Sequence, residues 1–501
     1  MDNAVTSQTR VRARRALAAL TWVFALAFAA SCGIFDSDEE EPPPENPWKY
    51  ALTVHVDEGL WGGPSTGTHH YQKPDTIDYI YGLNTSYSEL AVTLDGVTVP
   101  DSGSFYLDRD MTLNADCVSR AIWRLTLPKQ VYYCCPAVAS DGTIYVTTGM
   151  FRYSESGSVH AVSPGGAILW TYDLDYNAYS PVVGTDGSIY VQDAHNQAYA
   201  LTPAGALKWK FNRFDTPIHP WYDVGQRMPA VAEDGTVYVP ADGLYALDPD
   251  TGERLWHFAP RPGSCRQSPV IAGDGTIYVF IHQHDFYAVN PDSTLKWHTQ
   301  LDHDWEMSFA CPAIAGDGTI YVGAEGGLNG WVYAFDPADG SKKWKYDVVG
   351  DYRHVRASPT IAADGTIYVT TKAGTASATA LVIALNPDGT EKWTYELENL
   401  HNADDSYSTP SVGADGMIYC GAETSYFYAF RPDGTLAWKT MLEFGLNWSS
   451  AAITPDGTAY IGTHTEGGGN LYALRTSSLG YASSPWPRFR GGNQNTGRSG
   501  H

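Results

Sequence analysis

The stretch Ser268-Pro-Val-Ile-Ala-Gly-Asp-Gly-Thr-Ile-Tyr-Val-Phe-Ile281 decides the fold of this chain. It consists of two short apolar strands joined by an Asp-Gly pair, in which Gly accepts a positive φ at no steric cost. Two further strand patterns follow at 286–290 and 294–298, separated by a Pro-Asp-Ser turn. The stretch therefore predicts one antiparallel sheet of four strands connected by short hairpins.

The same pattern occurs eight times in the 501 residues. Its Asp-Gly pairs begin at Asp141, Asp186, Asp234, Asp274, Asp317, Asp364, Asp415 and Asp456, at intervals of 40 to 51 residues. Such a period is typical of repeat proteins, in which each unit buries its faces against its neighbours. Four-stranded units at this period predict an all-β fold, an eight-bladed β-propeller.

A tryptophan marks the fourth strand of every copy except the last. These residues are Trp170, Trp209, Trp256, Trp297, Trp344, Trp393 and Trp438. A buried aromatic ring removes ~150–250 Å² from water, so we expect the indoles to act as structural residues that dock one blade on the next.

The last copy has no fourth strand of its own, because Ser-rich sequence follows the strand pattern at 470–474. The missing pattern stands before the first copy, at Ala121-Ile-Trp-Arg-Leu-Thr-Leu127, with Trp123 in the tryptophan position. We therefore predict that strand 121–127 completes the last blade. This pairing would close the ring and remove its exposed edges.

The N-terminus has the pattern of an export signal over residues 1–31. An Arg-rich stretch precedes the apolar run 16–30, which is short for a membrane span. Residues 29–33, Ala-Ala-Ser-Cys-Gly, resemble a bacterial lipobox, although Ala29 stands where that motif usually has Leu. The resemblance implies lipidation at Cys32 and an anchor in the cell envelope, at the outer membrane or cell surface; ordinary secretory cleavage is the alternative.

Residues 32–47 are acidic and Pro-rich and are predicted to form a tether. Residues 48–117 alternate apolar and polar residues between turn residues, which predicts a small β-rich module. The part from Gly103 to Ala115 resembles a divergent internalin B-repeat, which implies a spacer or adhesion-like module. A β-domain without a separate role is the alternative. The propeller is predicted to span 118–480, and residues 481–501 are predicted to form a C-terminal tail.

The charge of the chain excludes one class of partner. The net charge is −24, and without residues 1–31 the chain has 28 basic and 55 acidic residues, a net charge of −27. A body this acidic repels nucleic acid and anionic membrane surfaces. We therefore expect no nucleic-acid partner and membrane association only through a lipid anchor.

The repeat resembles a known propeller family. The segment Ala246-Leu-Asp-Pro-Asp-Thr-Gly-Glu-Arg-Leu-Trp256 is similar to the tryptophan-docking motif of quinoprotein, or PQQ-type, propellers, and looser copies extend the resemblance over about 120–480. Residues 486–498 resemble a segment that often flanks such propellers. The family contains quinone-dependent dehydrogenases and non-enzymatic lipoproteins, including the BamB outer-membrane assembly scaffold, so the resemblance implies either role.

The adjacent Cys134 and Cys135 resemble the vicinal disulfide that alcohol dehydrogenases of this family place over the quinone. However, Cys135 precedes Pro136 in the register of Ser180-Pro181 and other copies, which favours a structural position. The sequence has no convincing counterpart of the calcium ligands or of the catalytic Asp segment. The pair His282 and His284 has a weak metal-ligand spacing, more typical of surface residues.

We therefore expect no catalytic residue, no metal and no cofactor, with PQQ and calcium required only by the dehydrogenase alternative. Six cysteines follow Cys32, and they allow fifteen complete pairings among which the sequence does not choose. They are Cys117, Cys134, Cys135, Cys265, Cys311 and Cys420.

The loops from each fourth strand to the next first strand carry aromatic, His and Arg residues on one face of the predicted ring. The candidate ligand-binding residues are Tyr133, His219, Trp221, Trp305, His354, Tyr407 and Trp448. Aromatic side chains are common anchors of recognition surfaces. The sequence thus predicts a non-catalytic exported scaffold that binds a protein segment or a glycan. The alternatives are a BamB-like assembly factor, a PQQ-dependent dehydrogenase, and loops that merely pack on one another.

Overall fold

The computed structural model describes residues 50–57, 60–83, 87–131, 134–149, 156–212, 227–261, 264–265, 267–282, 284–303, 308–327, 329–348, 353–373, 379–398, 408–422, 425–443, 445–446, 449–465 and 467–499. Every regular element in these ranges is a β-strand, because alternating apolar residues and frequent Gly and Asp turns leave no segment with a helical period.

Two sheets precede the repeats. Their strands are β1 (Tyr50–Val56), β2 (Leu60–Gly63), β3 (Gly67–Tyr71), β4 (Asp75–Leu83), β5 (Tyr87–Leu94), β6 (Val97–Val99), β7 (Ser102–Leu107) and β8 (Met111–Ser119). One sheet has the order β3-β1-β8-β5-β6 and the other the order β2-β4-β7. Their apolar side chains, among them Leu52, Tyr79 and Leu113, form one separate core.

The repeats form four-stranded sheets, here called blades 1 to 8. In blades 1 to 4 the strands are β10 (Ala137–Val138), β11 (Ile144–Thr148), β12 (Ser158–Val162), β13 (Ile168–Asp173); β14 (Val182–Val183), β15 (Ile189–Gln192), β16 (Ala198–Leu201), β17 (Leu207–Phe211); β18 (Ala230–Val231), β19 (Val237–Pro240), β20 (Leu244–Leu247), β21 (Arg254–Phe258); and β22 (Val270–Ile271), β23 (Ile277–Phe280), β24 (Asp285–Val289), β25 (Leu295–Gln300).

Blades 5 to 7 continue the series. Their strands are β26 (Ala313–Ile314), β27 (Ile320–Gly326), β28 (Asn329–Phe335), β29 (Lys342–Asp347); β31 (Thr360–Ile361), β32 (Ile367–Thr370), β34 (Leu381–Leu385), β35 (Glu391–Glu396); and β36 (Ser411–Val412), β37 (Ile418–Gly421), β38 (Tyr426–Phe430), β39 (Leu436–Met441). Outside these four-stranded sheets, β30 (Arg353–His354) and β33 (Lys372–Ala373) pair with each other as a separate two-stranded sheet.

Blade 8 takes its outermost strand from the beginning of the repeat region. It consists of β40 (Ala452–Ile453), β41 (Thr458–Thr465), β42 (Gly468–Arg475) and β9 (Ala121–Leu127). β9 pairs antiparallel with β42, and Trp123 lies opposite Ala473. The prediction that strand 121–127 completes the last repeat is therefore confirmed.

Each fourth-strand tryptophan lies opposite a buried alanine of the third strand. The pairs are Ala161–Trp170, Ala200–Trp209, Ala246–Trp256, Ala288–Trp297, Ala334–Trp344, Ala384–Trp393, Ala429–Trp438 and Ala473–Trp123. The small alanine leaves room for the indole, and the register shifts by one residue directly after the alanine, where the strand bends.

The indoles link each blade to the next. Trp123 of blade 8 donates its Nε1–H to the carbonyl of Pro164 in blade 1 at 2.8 Å, and Trp170 donates to Pro203 in blade 2 at 2.9 Å. The series continues with Trp209–Pro249, Trp256–Pro291, Trp297–Pro337, Trp344–Pro387 and Trp393–Pro432, at 2.8–2.9 Å. At Trp438 the guanidinium of Arg120, just before β9, covers the ring at 4.4 Å. These contacts run once around the molecule.

The C-terminal segment 481–499 crosses the centre of the ring. First-strand N–H groups donate to its carbonyls in six blades, at 2.7–3.0 Å: Val138 to Asn493, Val183 to Gln494, Val231 to Thr496, Ile271 to Gly497, Ile361 to Trp486 and Val412 to Pro487. In blade 8, Ile453 N–H donates to the Tyr481 hydroxyl at 2.9 Å. The segment thus satisfies the inner edges of the sheets, which would otherwise carry unpaired backbone groups.

Candidate functional site

The ring has two different faces. The turn face is the side that holds the Asp-Gly turns, and the loop face is the side that holds the connections between blades. The C-terminal segment covers the central channel on the turn face, where Trp486, Arg488 and Arg490 are fully buried. On this face, the C-terminal segment thus occupies the space between the first strands.

One of the seven predicted ligand residues, His354, lies in the described part of the chain. The other six, namely Tyr133, His219, Trp221, Trp305, Tyr407 and Trp448, lie outside the described residues. The described residues that flank these positions lie at the loop-face ends of the strands. They form three buried polar clusters.

The first cluster surrounds Glu325, which is 5% exposed. Arg356 donates to both carboxylate oxygens of Glu325, from Nε at 2.5 Å and from Nη2 at 2.6 Å, and its guanidinium covers the ring of Phe309 at 4.8 Å. His354 Nδ1 lies 3.3 Å from the same carboxylate. A bidentate Arg–carboxylate pair has a defined geometry. This cluster therefore holds the segment around Arg356, between blades 5 and 6, in one position relative to blade 5.

The second cluster connects blades 2 and 3 at Arg227, the first described residue after position 212. Arg227 is 1% exposed and donates to Asn196 Oδ1 in the β15–β16 hairpin. Beside it, Gln192 Nε2 donates to the Pro240 carbonyl of blade 3 at 2.7 Å. The candidate face therefore has a packed polar base at this position.

Asp193 belongs to the same hairpin and is fully buried. Its Oδ1 accepts hydrogen bonds from the backbone N–H groups of His195 and Gln197, both at 2.9 Å, and its Oδ2 accepts one from the Tyr199 hydroxyl at 3.2 Å. Burial outweighs these bonds and raises the pKa of Asp193 to about 7. This carboxyl therefore changes its protonation within the neutral pH range.

The third cluster is built on Asp285, which is 1% exposed. Gln300 Nε2 donates to Asp285 Oδ1 at 2.7 Å, and His298 Nε2 lies 3.0 Å from the same oxygen. Arg261 contacts the other oxygen. Burial, and then the charge of Arg261, lower the pKa of His298, so the imidazole is neutral at neutral pH. Sequence reasoning missed Glu325, Asp193 and Asp285, because an acidic residue near a hairpin resembles an ordinary turn residue.

The adjacent cysteines occupy two different positions in the ring. Cys134 Sγ accepts a hydrogen bond from Thr147 N–H at 3.2 Å, and Cys135 Sγ accepts one from Ser450 N–H of blade 8 at 3.2 Å. Cys135 N–H in turn donates to Ser180 Oγ of blade 2 at 2.7 Å. The same link recurs from Met228 to Ser268, from Cys311 to Ser358 and from Ser358 to Thr409. The residue before each proline thus connects neighbouring blades.

Cys134, Cys135, Cys265, Cys311 and Cys420 are buried free thiols, and the side chain of Cys117 is not described. Burial raises the pKa of Cys134 to about 11 and that of Cys135 to about 12. In the described ranges no group of three or more His, Cys, Asp or Glu residues is arranged to hold a metal ion.

Four-stranded sheets around a channel, joined by docked indoles, define a β-propeller of the PQQ-like repeat class. The model of the family described as outer membrane protein assembly factor BamB matches residues 119–290, 202–374 and 328–478, which together span well over half of the chain. The chain belongs to this family. No curated protein sequence matches it.

Solved structures show the same fold at low sequence identity. BamB from Moraxella catarrhalis has a TM-score of 0.52 and 14% identity, over 70% of this chain and 99% of that chain. A europium-containing methanol dehydrogenase has a TM-score of 0.57 and 15% identity, over 71% and 93%. The Dos1 propeller has a TM-score of 0.53 and 11% identity, over 72% and 97%.

These structures include both an assembly factor and an enzyme, so the likeness establishes the fold and leaves the activity open. In the described ranges no helix has the length and hydrophobicity that crossing a bilayer requires, and the apolar run 16–30 lies outside them.

Proposed function

We propose that this protein is an exported, non-catalytic scaffold of the cell envelope whose loop face binds an extended segment of another protein. The observation that carries the proposal is the occupied turn face. Because the C-terminal segment fills the channel mouth there, the proposal assigns the partner to the loop face. Membership in the BamB family supports a role in which a propeller holds a protein partner.

The three buried clusters support a binding role rather than a catalytic one. Glu325 is held by both prongs of the Arg356 guanidinium, and Arg227 is fixed on Asn196. Asp285 is held by Arg261 and by Gln300. Groups held in this way give the loops a rigid base, and a rigid base lowers the ordering cost of binding. Within the family, a BamB-like role in outer-membrane protein assembly is the most specific form of the proposal.

The proposal is tested with the mature protein and two parallel arrays, one of extended peptides with the alternating pattern of outer-membrane strands and one of glycans. We expect peptide binding. Alanine substitution of Trp221, Trp305 and Trp448, one at a time, should weaken binding by about 10-fold or more, because aromatic anchors dominate such surfaces. Leu207→Ala is the matched control, because Leu207 is 45% exposed at the turn-face end of β17.

Each variant is compared with the parent by thermal unfolding, so that loss of binding is separated from loss of fold. If the protein bound glycans and no peptide, the ligand of the loop face would be a carbohydrate and not a protein segment. Peptide binding that all three tryptophan variants retain would place the site elsewhere.

The dehydrogenase alternative has a separate test. The likeness to a methanol dehydrogenase concerns the fold, and the sequence has no convincing counterpart of the calcium ligands or of the catalytic Asp segment. We expect no dye reduction with added PQQ and calcium, or with a lanthanide in place of calcium. A bound chromophore with dye reduction would make the protein an enzyme.

A further inference from the structure

The C-terminal segment contacts the ring in the way that a bound peptide contacts its receptor, mainly through hydrogen bonds to strands distant in sequence. It follows blade 8 through a short connection at 476–480, in which Leu479 is 69% exposed. Beyond that connection its backbone accepts hydrogen bonds from the first strands of blades 1 to 4, 6 and 7. Its contacts are therefore made with strands far away in sequence, as those of a separate molecule would be.

Two arginines provide the most specific contacts. Arg490 Nη1 donates to the Pro269 carbonyl at 2.9 Å, Nη2 donates to the Pro229 carbonyl at 2.5 Å, and Nε donates to the Asn495 carbonyl at 3.0 Å. Arg488 Nη2 donates to the Ser450 carbonyl at 3.2 Å and to the Pro136 carbonyl at 3.3 Å. Both side chains are fully buried, and these acceptors are all backbone carbonyls.

The architecture explains why arginine suits this position. Every first strand is the inner edge of its sheet, so the carbonyls of Pro136, Pro229 and Pro269 face the channel without a partner strand. Carbonyls that converge from several blades create a region of negative potential. A planar guanidinium satisfies several of them at fixed angles, which a lysine ammonium cannot do. Asn495 Nδ2 likewise donates hydrogen bonds to the carbonyls of Cys135 and Pro181, at 3.0 Å each.

We propose that the turn-face mouth of the channel is a peptide-binding site that recognises an extended segment of the pattern Trp-Pro-Arg-Phe-Arg. The C-terminal segment, residues 481–499, occupies this site as a ligand within the same chain. The same segment of a second copy fits it equally well, so the segment is exchangeable between molecules. This site is separate from the loop face and does not depend on the function proposed for that face.

The test uses the full chain with a protease recognition site inserted after Leu479. The ring folds with its segment in place and is then cut. A fluorescent peptide of residues 481–501 is added, and the exchange of the cut segment is followed by anisotropy and size exclusion. We expect the cut segment to remain bound at first and then to exchange with the peptide in a concentration-dependent manner.

Peptides with Arg490→Lys or Arg488→Lys are tested as competitors of the labelled peptide. They keep the positive charge but lose the planar guanidinium and its several N–H donors. We expect Arg490→Lys to compete about 10-fold less well or worse. A second measurement adds excess labelled peptide to the unmodified chain, where slow incorporation is expected without any cut.

The proposal fails if the cut segment dissociates at once and the peptide does not rebind. It also fails if the segment stays bound but no peptide replaces it, since the segment would then be a fixed part of the core. Equal competition by the lysine variants would disprove the role assigned to the two guanidinium groups.

Discussion

At the scale of single residues, one group of side chains is repeated around the ring. A fourth-strand tryptophan packs on a second-strand tyrosine of its own blade, with ring centroids 5.5–5.9 Å apart, as in Tyr278–Trp297 and Tyr321–Trp344. It faces an alanine across the strand and, in seven blades, donates to a proline carbonyl of the next blade. Each indole therefore holds its own sheet and a neighbouring sheet at once.

Trp297 provides the test of this arrangement. It is 7% exposed, contacts Phe286 edge-on at 5.5 Å and donates to the Pro337 carbonyl at 2.9 Å. We expect Trp297→Ala to lower the free energy of unfolding by about 3–5 kcal/mol. Trp297→Phe should cost less, about 1–3 kcal/mol, because mainly the hydrogen bond is lost. Urea unfolding gives both values.

The control for Trp297 is Leu295→Ala in the same strand, since Leu295 is 50% exposed. This change should alter stability by no more than about 0.5 kcal/mol. Equal effects of Trp297→Ala and Leu295→Ala would contradict the docking role.

Asp193 makes stability depend on pH in a defined direction. Its pKa is raised by burial to about 7 in the folded protein, against about 3.9 in the unfolded chain. Between these values the folded state holds a proton that the unfolded state has lost, so stability falls as the pH rises from about 4 to about 7. Asp193→Asn removes this charge, and we expect the fall, a few kcal/mol in size, to be reduced in pH-dependent urea unfolding.

Asp292→Asn is the matched control, because the hydroxyl and backbone N–H of Thr294 lower the pKa of the exposed Asp292 carboxyl. Stability from a lowered pKa is present above the unfolded value and is lost only at more acidic pH. Between about pH 5 and pH 7, the free energy of unfolding of Asp292→Asn should therefore change with pH as it does in the parent protein. Identical slopes for Asp193→Asn and the parent would show that Asp193 does not titrate in this range.

At the scale of elements, the fold depends on how sheet edges are covered. β9 covers the outer edge of blade 8, since Leu125 pairs with Leu471 and Arg124 with Tyr472. The C-terminal segment covers the inner edges, where strands of two residues such as β10 leave N–H groups directed at the channel. The strand before the first repeat thus closes the circumference, and the segment after the last repeat closes the centre.

Deletion of residues 121–127 exposes the edge of β42, which is eight residues long. An uncovered edge of this length pairs with other chains, so we expect oligomers or an unfolded protein by size exclusion with light scattering and by circular dichroism. Deletion of β6, an edge strand of the N-terminal module, is the control and should leave the ring monomeric. A monomeric, folded 121–127 deletion would show that β9 is dispensable.

At the scale of the whole molecule, two features bear on what the protein can bind: its net negative charge and the difference between the two faces of the ring. The net charge of −24 disfavours contact with nucleic acid and with anionic membrane surfaces. The two faces also differ, because the C-terminal segment occupies the turn face. An envelope scaffold anchored through its N-terminus agrees with both features.

The anchor is tested at Cys32, which lies outside the described residues. The parent protein should partition with membranes after cell fractionation, whereas Cys32→Ser should remain in the aqueous fraction, because each buried CH₂ of a lipid chain contributes about 0.8 kcal/mol. Cys117→Ser is the control and should partition like the parent. Equal partitioning of the parent and Cys32→Ser would exclude lipidation at this residue.

The sequence by itself determined the repeat, the strands of each blade and the strand that closes the ring. These features are local and repeated, so that Ala121–Leu127 is recognisable as a fourth strand from its resemblance to the other copies. The Asp-Gly turns and the alanine opposite each tryptophan belong to the same short-range pattern.

Tertiary structure alone decided the path of the C-terminal segment and the burial of Arg488 and Arg490. Arg490 finds its acceptors 221 and 261 residues away, and Arg488 finds the Pro136 carbonyl 352 residues away. These acceptors are backbone carbonyls, which every residue type possesses and no sequence pattern marks. Glu325 was missed for a related reason, because its partner Arg356 lies 31 residues away in the segment between blades 5 and 6. Asp193 finds its hydrogen-bond partners within its own hairpin, but only the packed structure buries it.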